Sequence, residues 1–421
     1  MLINKIKYYK KKIYLLLRWS EKYTKTDMIY LTKGGIWLIL GYAIEILSGL
    51  IMVIAFANLL PKEAYGTYQF IIGWAAILSS FTLSGMGIAI MRATAQGSEN
   101  ALPYGLRMKI KWSLGIVIAG GLFAIYYYLN NNLTLTYAFL IVGTLAPFIE
   151  GFSLYKSYLI GKQFFRESAL FGLYRKPIPI IAILSGLYFT NNPVIIIFLY
   201  FSSNAISIGL LYKLVIKKYN LKSTPDLKLF NYSKHLSVME FISRIALNID
   251  KLILFHLIGA APVAIYVLAT TPYIHLQKLF GLVGHLVFPK FTKQNISTLQ
   301  KNLSLKTFLF FITTLITVIL YIVAAPFLFR ILFPAYPEAV IYSQVAILAL
   351  LVKPRILYNQ VFAAHAMKRA QYFIKISTAI VKIILLVILV PLYGIWGAIN
   401  SLLLMHLYGA IIASIFFYTK K

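Results

Sequence analysis

Apolar runs separated by short polar connections recur along the whole chain. Runs of about 20 residues match the hydrocarbon core of a bilayer at a helical rise of about 1.5 Å per residue. They predict helices over 35–59, 69–91, 112–129, 136–158, 173–190, 193–214, 235–258, 263–288, 307–333, 339–366, 373–390 and 395–418. No polar stretch between them is long enough to form a soluble domain. The fifth run opens with Arg175, Lys176, Pro177 and Pro179, so a broken or interfacial start is expected there. The tenth contains Lys353, Pro354 and Arg355, and its apolar pattern resumes over 356–367. That favours one long helix kinked near Pro354, with Arg355 about 20 Å from its end. The alternative is a helix ending at Val352 with an amphipathic segment after it.

One run breaks the apolar pattern in an ordered way. Over 240–266, Glu240, Arg244, Asn248 and Lys251 recur at i, i+4, i+8 and i+11 and form one helical stripe, with Asp250 beside it. A charge at mid-bilayer costs roughly 2.5–3.5 kcal/mol even on lenient insertion scales. The stripe must therefore face protein or water. It is either a set of structural pairs or the wall of a polar cavity.

Composition agrees with the pattern: 60% of the 421 residues are hydrophobic and 12% are charged. The absence of cysteine removes disulfides, thiolate metal sites and thiol nucleophiles. The histidines have no ligand spacing, so no metal and no cofactor is expected. The formal charge of +30 would suit nucleic acid, but its distribution points to membrane orientation instead. Lys and Arg crowd the connections after even-numbered runs, as in Lys217, Lys218, Lys222, Lys228 and Lys234. Connections after odd-numbered runs are nearly bare, with Arg330 the main exception. Alternation over twelve runs puts both termini in the cytoplasm.

Residues 1–33 carry nine Lys/Arg among aromatic and aliphatic residues, which reads as a basic helix on the membrane surface or as a basic tail. The expected organisation is a basic segment (1–34), a six-helix bundle (35–214), a cytoplasmic linker (215–234) and a second six-helix bundle (235–421). An internal repeat supports the division. NLLPKEAYGTY (58–68) aligns with HLIGAAPVAIY (256–266) at an offset of 198, and the same offset sets Arg92, Thr94 and Gln96 on Lys290, Thr292 and Gln294. The predicted fold is thus an all-α polytopic membrane protein, with twelve transmembrane helices in two pseudo-symmetric six-helix bundles.

Six basic residues fall well inside the predicted spans: Arg244, Lys251, Lys278, Lys353, Arg355 and Lys382, all in the second bundle. His275 shares a helix face with Lys278. The first bundle offers two acids instead, Glu45 and Glu150. A basic wall would bind a phosphate or an acidic sugar. A buried carboxylate would carry a proton or Na⁺, or neutralise a base across the bundle. Glu45, Glu150, Glu240 and Asp250 are the candidates for ion coupling. No GxxxxGK[ST] loop marks the chain as an ATPase, and no Ser/His/Asp arrangement marks a hydrolase.

IAFANLLPKEAYGTYQF (54–70) followed by LSGMGIAIMRATAQ (83–96) resembles the first outer turn and second helix of bacterial polysaccharide flippases. LNIDKLILFHLIGAAPVAIYVLA (247–269) with FPKFTK (288–293) resembles their seventh and eighth helices, and LVPLYGIWGAINSLLL (389–404) their last turn. The resemblance implies the fold of the multidrug/oligosaccharidyl-lipid/polysaccharide exporter superfamily. It implies transfer of an undecaprenyl-pyrophosphate-linked oligosaccharide across the bacterial inner (cytoplasmic) membrane, with the lipid bilayer, H⁺ or Na⁺ and a polysaccharide polymerase as partners. Under it, Arg244, Lys251, Lys278 and Arg355 are expected to line the cavity, with Lys353, Lys382, Asn248 and His275 beside them. Three rivals remain. A multidrug/cation antiporter of the same superfamily calls for an acidic or aromatic cavity. A polysaccharide polymerase calls for a large catalytic outer loop. A peptidoglycan-precursor flippase carries extra helices.

Overall fold

The computed structural model describes residue 18 and residues 28–98, 100–221, 227–291, 294–365 and 367–419. Among them every regular element is helical. In chain order they are α1 (Met28–Leu59), α2 (Lys62–Leu78), a 3₁₀ turn (Ser79–Thr82), α3 (Met86–Ala95), α4 (Ala101–Trp112), α5 (Leu114–Leu129), α6 (Leu133–Phe152), α7 (Leu154–Gly161), α8 (Phe165–Tyr174), α9 (Pro177–Phe189) and α10 (Pro193–Tyr219). Then come α11 (Leu227–Leu257), α12 (Ala260–Phe291), α13 (Ile296–Leu332), α14 (Ala339–Ala346), a 3₁₀ segment (Ile347–Arg355), α15 (Ile356–Ala364), α16 (Lys368–Tyr393) and α17 (Ile395–Thr419). The basic segment expected over 1–34 falls outside the described residues apart from Arg18 and the start of α1. Of the expected linker, 222–226 also lies outside them, and helix covers much of the remainder.

Eight helical runs among the described residues are long and apolar enough to cross a membrane: 101–129, 133–161, 165–189, 193–219, 296–332, 339–364, 368–393 and 395–419. A ninth is formed by Lys62–Thr82 and Met86–Ala95, which meet at a bend of 52°. Leu114, Ile118, Leu122, Ile125 and Leu129 recur along one face of α5, and each is more than half exposed. A stripe of that kind is a lipid-facing surface rather than a water-facing one. The chain is a multi-pass helical membrane protein.

The helices differ from the hydropathy pattern in three places. The second span was expected as one helix over 69–91. Instead α2 starts at Lys62, directly after Pro61, and the path breaks at Leu83, whose φ of 54° is left-handed. Beyond the break, Gly85 docks on α11: its N–H donates to Ser237 Oγ at 3.0 Å, and a Cβ there would lie 2.8 Å from the Ser233 carbonyl oxygen. Secondly, the third to fifth spans reach further than their apolar windows. They begin or end at Ala101, Gly161 and Phe165 rather than at 112, 158 and 173. Lys109, expected in a connection, and Lys156, Arg175 and Lys176, expected at the ends of their spans, therefore stand within helical runs. A helix does not stop where hydropathy falls if its charged heads reach water or partners. Thirdly, the fifth run is interrupted at Arg175–Lys176, in its middle and not at its start. The tenth run continues through Pro354 as a 3₁₀ segment.

Lipid tails are as apolar as leucine, so helix association in a bilayer rests on close packing rather than on water exclusion. Small residues supply it. Gly120 of α5 meets the backbone of α6, where a Cβ would lie 2.9 Å from Gly143 Cα. Gly66 of α2 abuts the Ala260 carbonyl of α12. The turn before α12 needs a glycine too, because Gly259 has a φ of 109°. The largest core cluster joins both ends of the sequence. Phe56, Tyr65, Tyr68 and Phe70 pack in it with Leu252, Leu268, Phe333 and Tyr336.

Candidate functional site

α11 carries the charged stripe, and its neighbours fix which way the stripe points. Ser237 bonds Gly85, and Phe241 packs edge-on against Phe81 at 5.5 Å. Arg244 Nη1 lies 3.6 Å from Glu150 Oε1 of α6. The stem of Lys251 runs along α2, where a Cβ on Gly73 would sit 3.4 Å from Lys251 Cδ. Phe255 stacks on Phe70 at 3.8 Å. The face of α11 bearing Arg244 and Lys251 thus lies against the helices of residues 28–219. Asn248, on the same face, donates from Nδ2 to the Arg244 carbonyl at 3.0 Å. Glu240, half-buried one turn before Arg244, has no ion pair among the described residues.

Glu150 is shared. Lys109 Nζ of α4 donates to its Oε2 at 2.9 Å while Arg244 approaches the other oxygen. Lys109 is only 3% exposed, so this carboxylate is the partner that lets a lysine sit inside the protein.

The opposite face of α11 carries Asp250, which separates from the stripe. Lys382 Nζ of α16 and Tyr266 Oη of α12 donate to Asp250 Oδ2 at 3.0 and 2.6 Å. Lys382 also donates to the Ala246 carbonyl at 2.6 Å, and the Lys251 N–H donates to Asp250 Oδ1 at 3.0 Å. Both charged side chains are 5% exposed. Lys382, expected on a cavity wall, is instead the inner half of a closed pair.

Arg355 extends from the 3₁₀ segment across Gly409 of α17. Its Nη1 donates to the His406 carbonyl at 2.8 Å, and its Nη2 lies 3.2 Å from His406 Nδ1. A guanidinium only donates. His406 therefore accepts at Nδ1, carries its proton on Nε2 and donates it to Tyr273 Oη at 2.6 Å. These partners are neutral, so the charge of Arg355 stays uncompensated. The ammonium groups of Lys251, Lys278 and Lys353 likewise have no carboxylate within 4 Å among the described residues. Lys278 is exposed on α12. One helical turn away His275 leans towards α1, its Cε1 3.9 Å from the Cβ position of Gly49, and its Nδ1 is buried without a partner.

Glu45 lies apart from all of these. It lines a cavity of about 110 Å³ with Trp37, Lys156, Ser168, Arg175 and Lys176, all in the N-terminal helices. Sequence reasoning missed the three cations because it placed them at the ends of the fourth and fifth spans, outside the set of bases well inside the bundle. The apolar stretch FGLY (171–174) before Arg175 was the available signal that the run continued on both sides. Tyr266, Tyr273, His406 and Lys109 were also missed, and nothing in their local sequence pairs them with distant partners.

At the end of the molecule bearing the turns at 60–61, 258–259 and 333–338, the two parts of the chain are latched. Lys62 and Glu338 form an ion pair, with the Lys62 ammonium 5.0 Å from the Tyr336 ring centroid. Asn58 Nδ2 donates to the Leu332 carbonyl at 2.8 Å. Tyr127 Oη and His256 Nε2 are 3.0 Å apart.

Residues 31–295 match the family model described as polysaccharide biosynthesis protein. The chain belongs to this family. The match covers nearly all of α1 and the whole of α2 to α12, and with them Glu150, Arg244, Lys251 and Asp250. No curated protein matches significantly. Among solved structures, the chain is similar to an inward-facing multidrug resistance MATE family transporter of the MOP superfamily, with a TM-score of 0.66, 14% identity and coverage of 88% of this chain and 93% of that one. An outward-facing structure of such a transporter gives a TM-score of 0.58 at 14% identity, covering 92% and 94%. A MOP superfamily transporter from Pyrococcus furiosus, titled for the reverse polarity of its binding pocket, gives 0.59 at 15% identity, covering 92% and 95%. At these identities the likeness establishes the fold, which is that of a MATE/MOP membrane transporter.

Proposed function

We propose that this protein is a flippase for an undecaprenyl-pyrophosphate-linked oligosaccharide in the bacterial cytoplasmic membrane, feeding surface polysaccharide assembly. Nine runs plus α1, α11 and α12 make twelve spans. We read them as two six-helix bundles, with the division at residues 215–234 and both termini cytoplasmic. The turns at 60–61, 258–259 and 333–338 then face outwards, and the Lys62–Glu338 latch closes the outer side. Alternating access would open that latch as the bundles rock.

The observation that carries this reading is the charge imbalance among the cations of α11, α12 and the 3₁₀ segment 347–355. The side-chain charges of Lys251, Lys278, Lys353 and Arg355 have no carboxylate within 4 Å among the described residues, and Glu150 serves two cations at once. A surplus of positive charge in a low-dielectric setting attracts a pyrophosphate and repels a cationic drug. Arg244 and Asn248 would add contacts from the same face of α11. Lys382 and Asp250 hold α11 to α16, and Glu150 ties Arg244 in place. Coupling to H⁺ or Na⁺ falls to Glu45 or Glu240, the two of the four candidate acids without an ion pair among the described residues. His275 beside Lys278 would meet the glycan.

The test is the lipid-linked glycan pool in a deletion strain. The expected result is undecaprenyl-pyrophosphate-oligosaccharide retained on the cytoplasmic leaflet and loss of surface polysaccharide. Complementation with Lys251→Gln or Lys353→Gln, at wild-type membrane levels, should lower export about tenfold, a loss of about 1.4 kcal/mol. Normal surface glycan with hypersensitivity to cationic compounds would overturn the reading in favour of a multidrug transporter.

A further inference from the structure

The cavity within the N-terminal helices is separate from the meeting face of α11, since no residue beyond 176 lines it. Its walls carry three cations, Lys156, Arg175 and Lys176, against one carboxylate, Glu45. Lys176 lies within electrostatic reach of the other three charges. None of the four has an ion pair within 4 Å among the described residues. The cavity therefore has a surplus of about two positive charges, with Arg175 and Lys176 half-buried and Glu45 and Lys156 at its exposed edge.

The local structure holds this charge in place. Arg175 and Lys176 sit at the junction of α8 and α9, where Pro177 starts a new helix. Arg175 Nη2 donates to Asn204 Oδ1 at 3.2 Å, and the Ser207 hydroxyl donates to the Arg175 carbonyl at 2.8 Å. The Asn204 bond orients the guanidinium, and the Ser207 bond fixes the backbone that carries it. Gly172 lines open space, since a Cβ there would meet nothing within 4 Å. A cavity of about 110 Å³ has room for a group the size of several waters. Trp37 forms one side, with the Arg166 guanidinium 5.8 Å from its ring centroid.

We infer that this cavity is a second oxyanion site, for a phosphate-type group of about two negative charges, in which Glu45 is a tethered counter-anion that the ligand displaces. Arg175 and Lys176 bind the oxyanion, Lys156 adds charge at the mouth, and Ser168 offers a hydroxyl. The site itself rests on the cavity and its charge count. The choice of a pyrophosphate probe rests on the flippase reading. The group belongs either to a lipid headgroup or to a free phosphate.

The experiment uses the full-length protein in phosphatidylcholine nanodiscs, titrated with inorganic pyrophosphate and read by tryptophan fluorescence, with Trp37→Phe as the control for the reporter. Pyrophosphate should change the wild-type signal and leave the Trp37→Phe signal unchanged. Glu45→Gln should tighten binding about tenfold. Arg175→Gln and Lys176→Gln should each weaken it about tenfold, and Lys176→Arg should restore it, which separates lost charge from lost folding. Binding that is indifferent to these substitutions, or weaker in Glu45→Gln, overturns the site. Competition by undecaprenyl pyrophosphate beyond that of inorganic pyrophosphate assigns the site to a lipid headgroup. Equal competition by inorganic phosphate assigns it to a free anion. Export lost in the deletion strain with pyrophosphate binding indifferent to these variants defeats the site alone. Pyrophosphate binding that follows them with normal export in the deletion strain defeats the flippase reading alone.

Discussion

In the C-terminal part of the chain, Asp250 is closed off by Lys382 and Tyr266 at 3.0 and 2.6 Å, and both charged side chains are 5% exposed. In the N-terminal part, Glu45 faces three cations across a cavity, with none close enough to form an ion pair. The chemistry is the same, acid and base inside a bundle, but the uses differ. The first arrangement spends both charges on each other and leaves nothing for a ligand. The second leaves a surplus that a ligand can neutralise. Glu150 stands between these cases: one oxygen is held by Lys109 at 2.9 Å, and the other is approached by Arg244 at 3.6 Å.

The largest effect should come from breaking the closed pair. Asp250→Ala leaves Lys382 buried without a counter-charge and should cost about 3–5 kcal/mol, read as loss of the monodisperse peak in fluorescence-detected size exclusion. Adding Lys382→Met to it should restore much of that peak, because two apolar residues replace the pair without leaving a charge behind. Glu150→Gln should be milder, about 1–3 kcal/mol by thermal melting, since an amide oxygen still accepts from Lys109 and the side chain is 21% exposed.

Opening the latch should cost less again. Lys62 and Glu338 are each about one-third exposed, and Lys62→Ala should cost less than about 1 kcal/mol. Because the chain has no native cysteine, Lys62→Cys with Glu338→Cys and a short bis-maleimide cross-linker should stop glycan export, and a bis-maleimide with an internal disulfide should restore it on reduction. Export that continues with the linker in place would show that these two residues need not separate. The smallest effect belongs to the open cavity: Glu45→Gln should change thermal stability by no more than about 0.5 kcal/mol, because no pair is lost. A fall as large as that of Asp250→Ala would erase the contrast between the two regions.

How much of this was readable from the sequence differs by feature. Helix type and approximate place follow from apolar runs of bilayer length, because hydropathy is a property of local windows. The stripe on α11 was legible for the same reason: helical periodicity alone puts Arg244 and Lys251 on one face. Helix ends were not legible where charge enters a helix that continues. That is why Lys109 was assigned to a connection and Lys156, Arg175 and Lys176 to span ends, and why the buried bases looked confined to the second half. The break at Leu83 was missed because it answers to Ser233 and Ser237, about 150 residues away.

The sequence by itself determined that this chain crosses a bilayer repeatedly as helices and that it carries more cations than acids within them. It also determined which side of α11 holds them, since these properties are additive along a helix. Only the tertiary structure decided which charges are spent and which remain. Asp250 and Lys382 are 132 positions apart, Glu150 and Arg244 lie on different helices, and Glu45 meets Arg175 and Lys176 only because α1 packs against α8 and α9. Pairing energy depends on distances of a few ångströms in a low dielectric. Those distances are a property of packing, not of spacing along the chain.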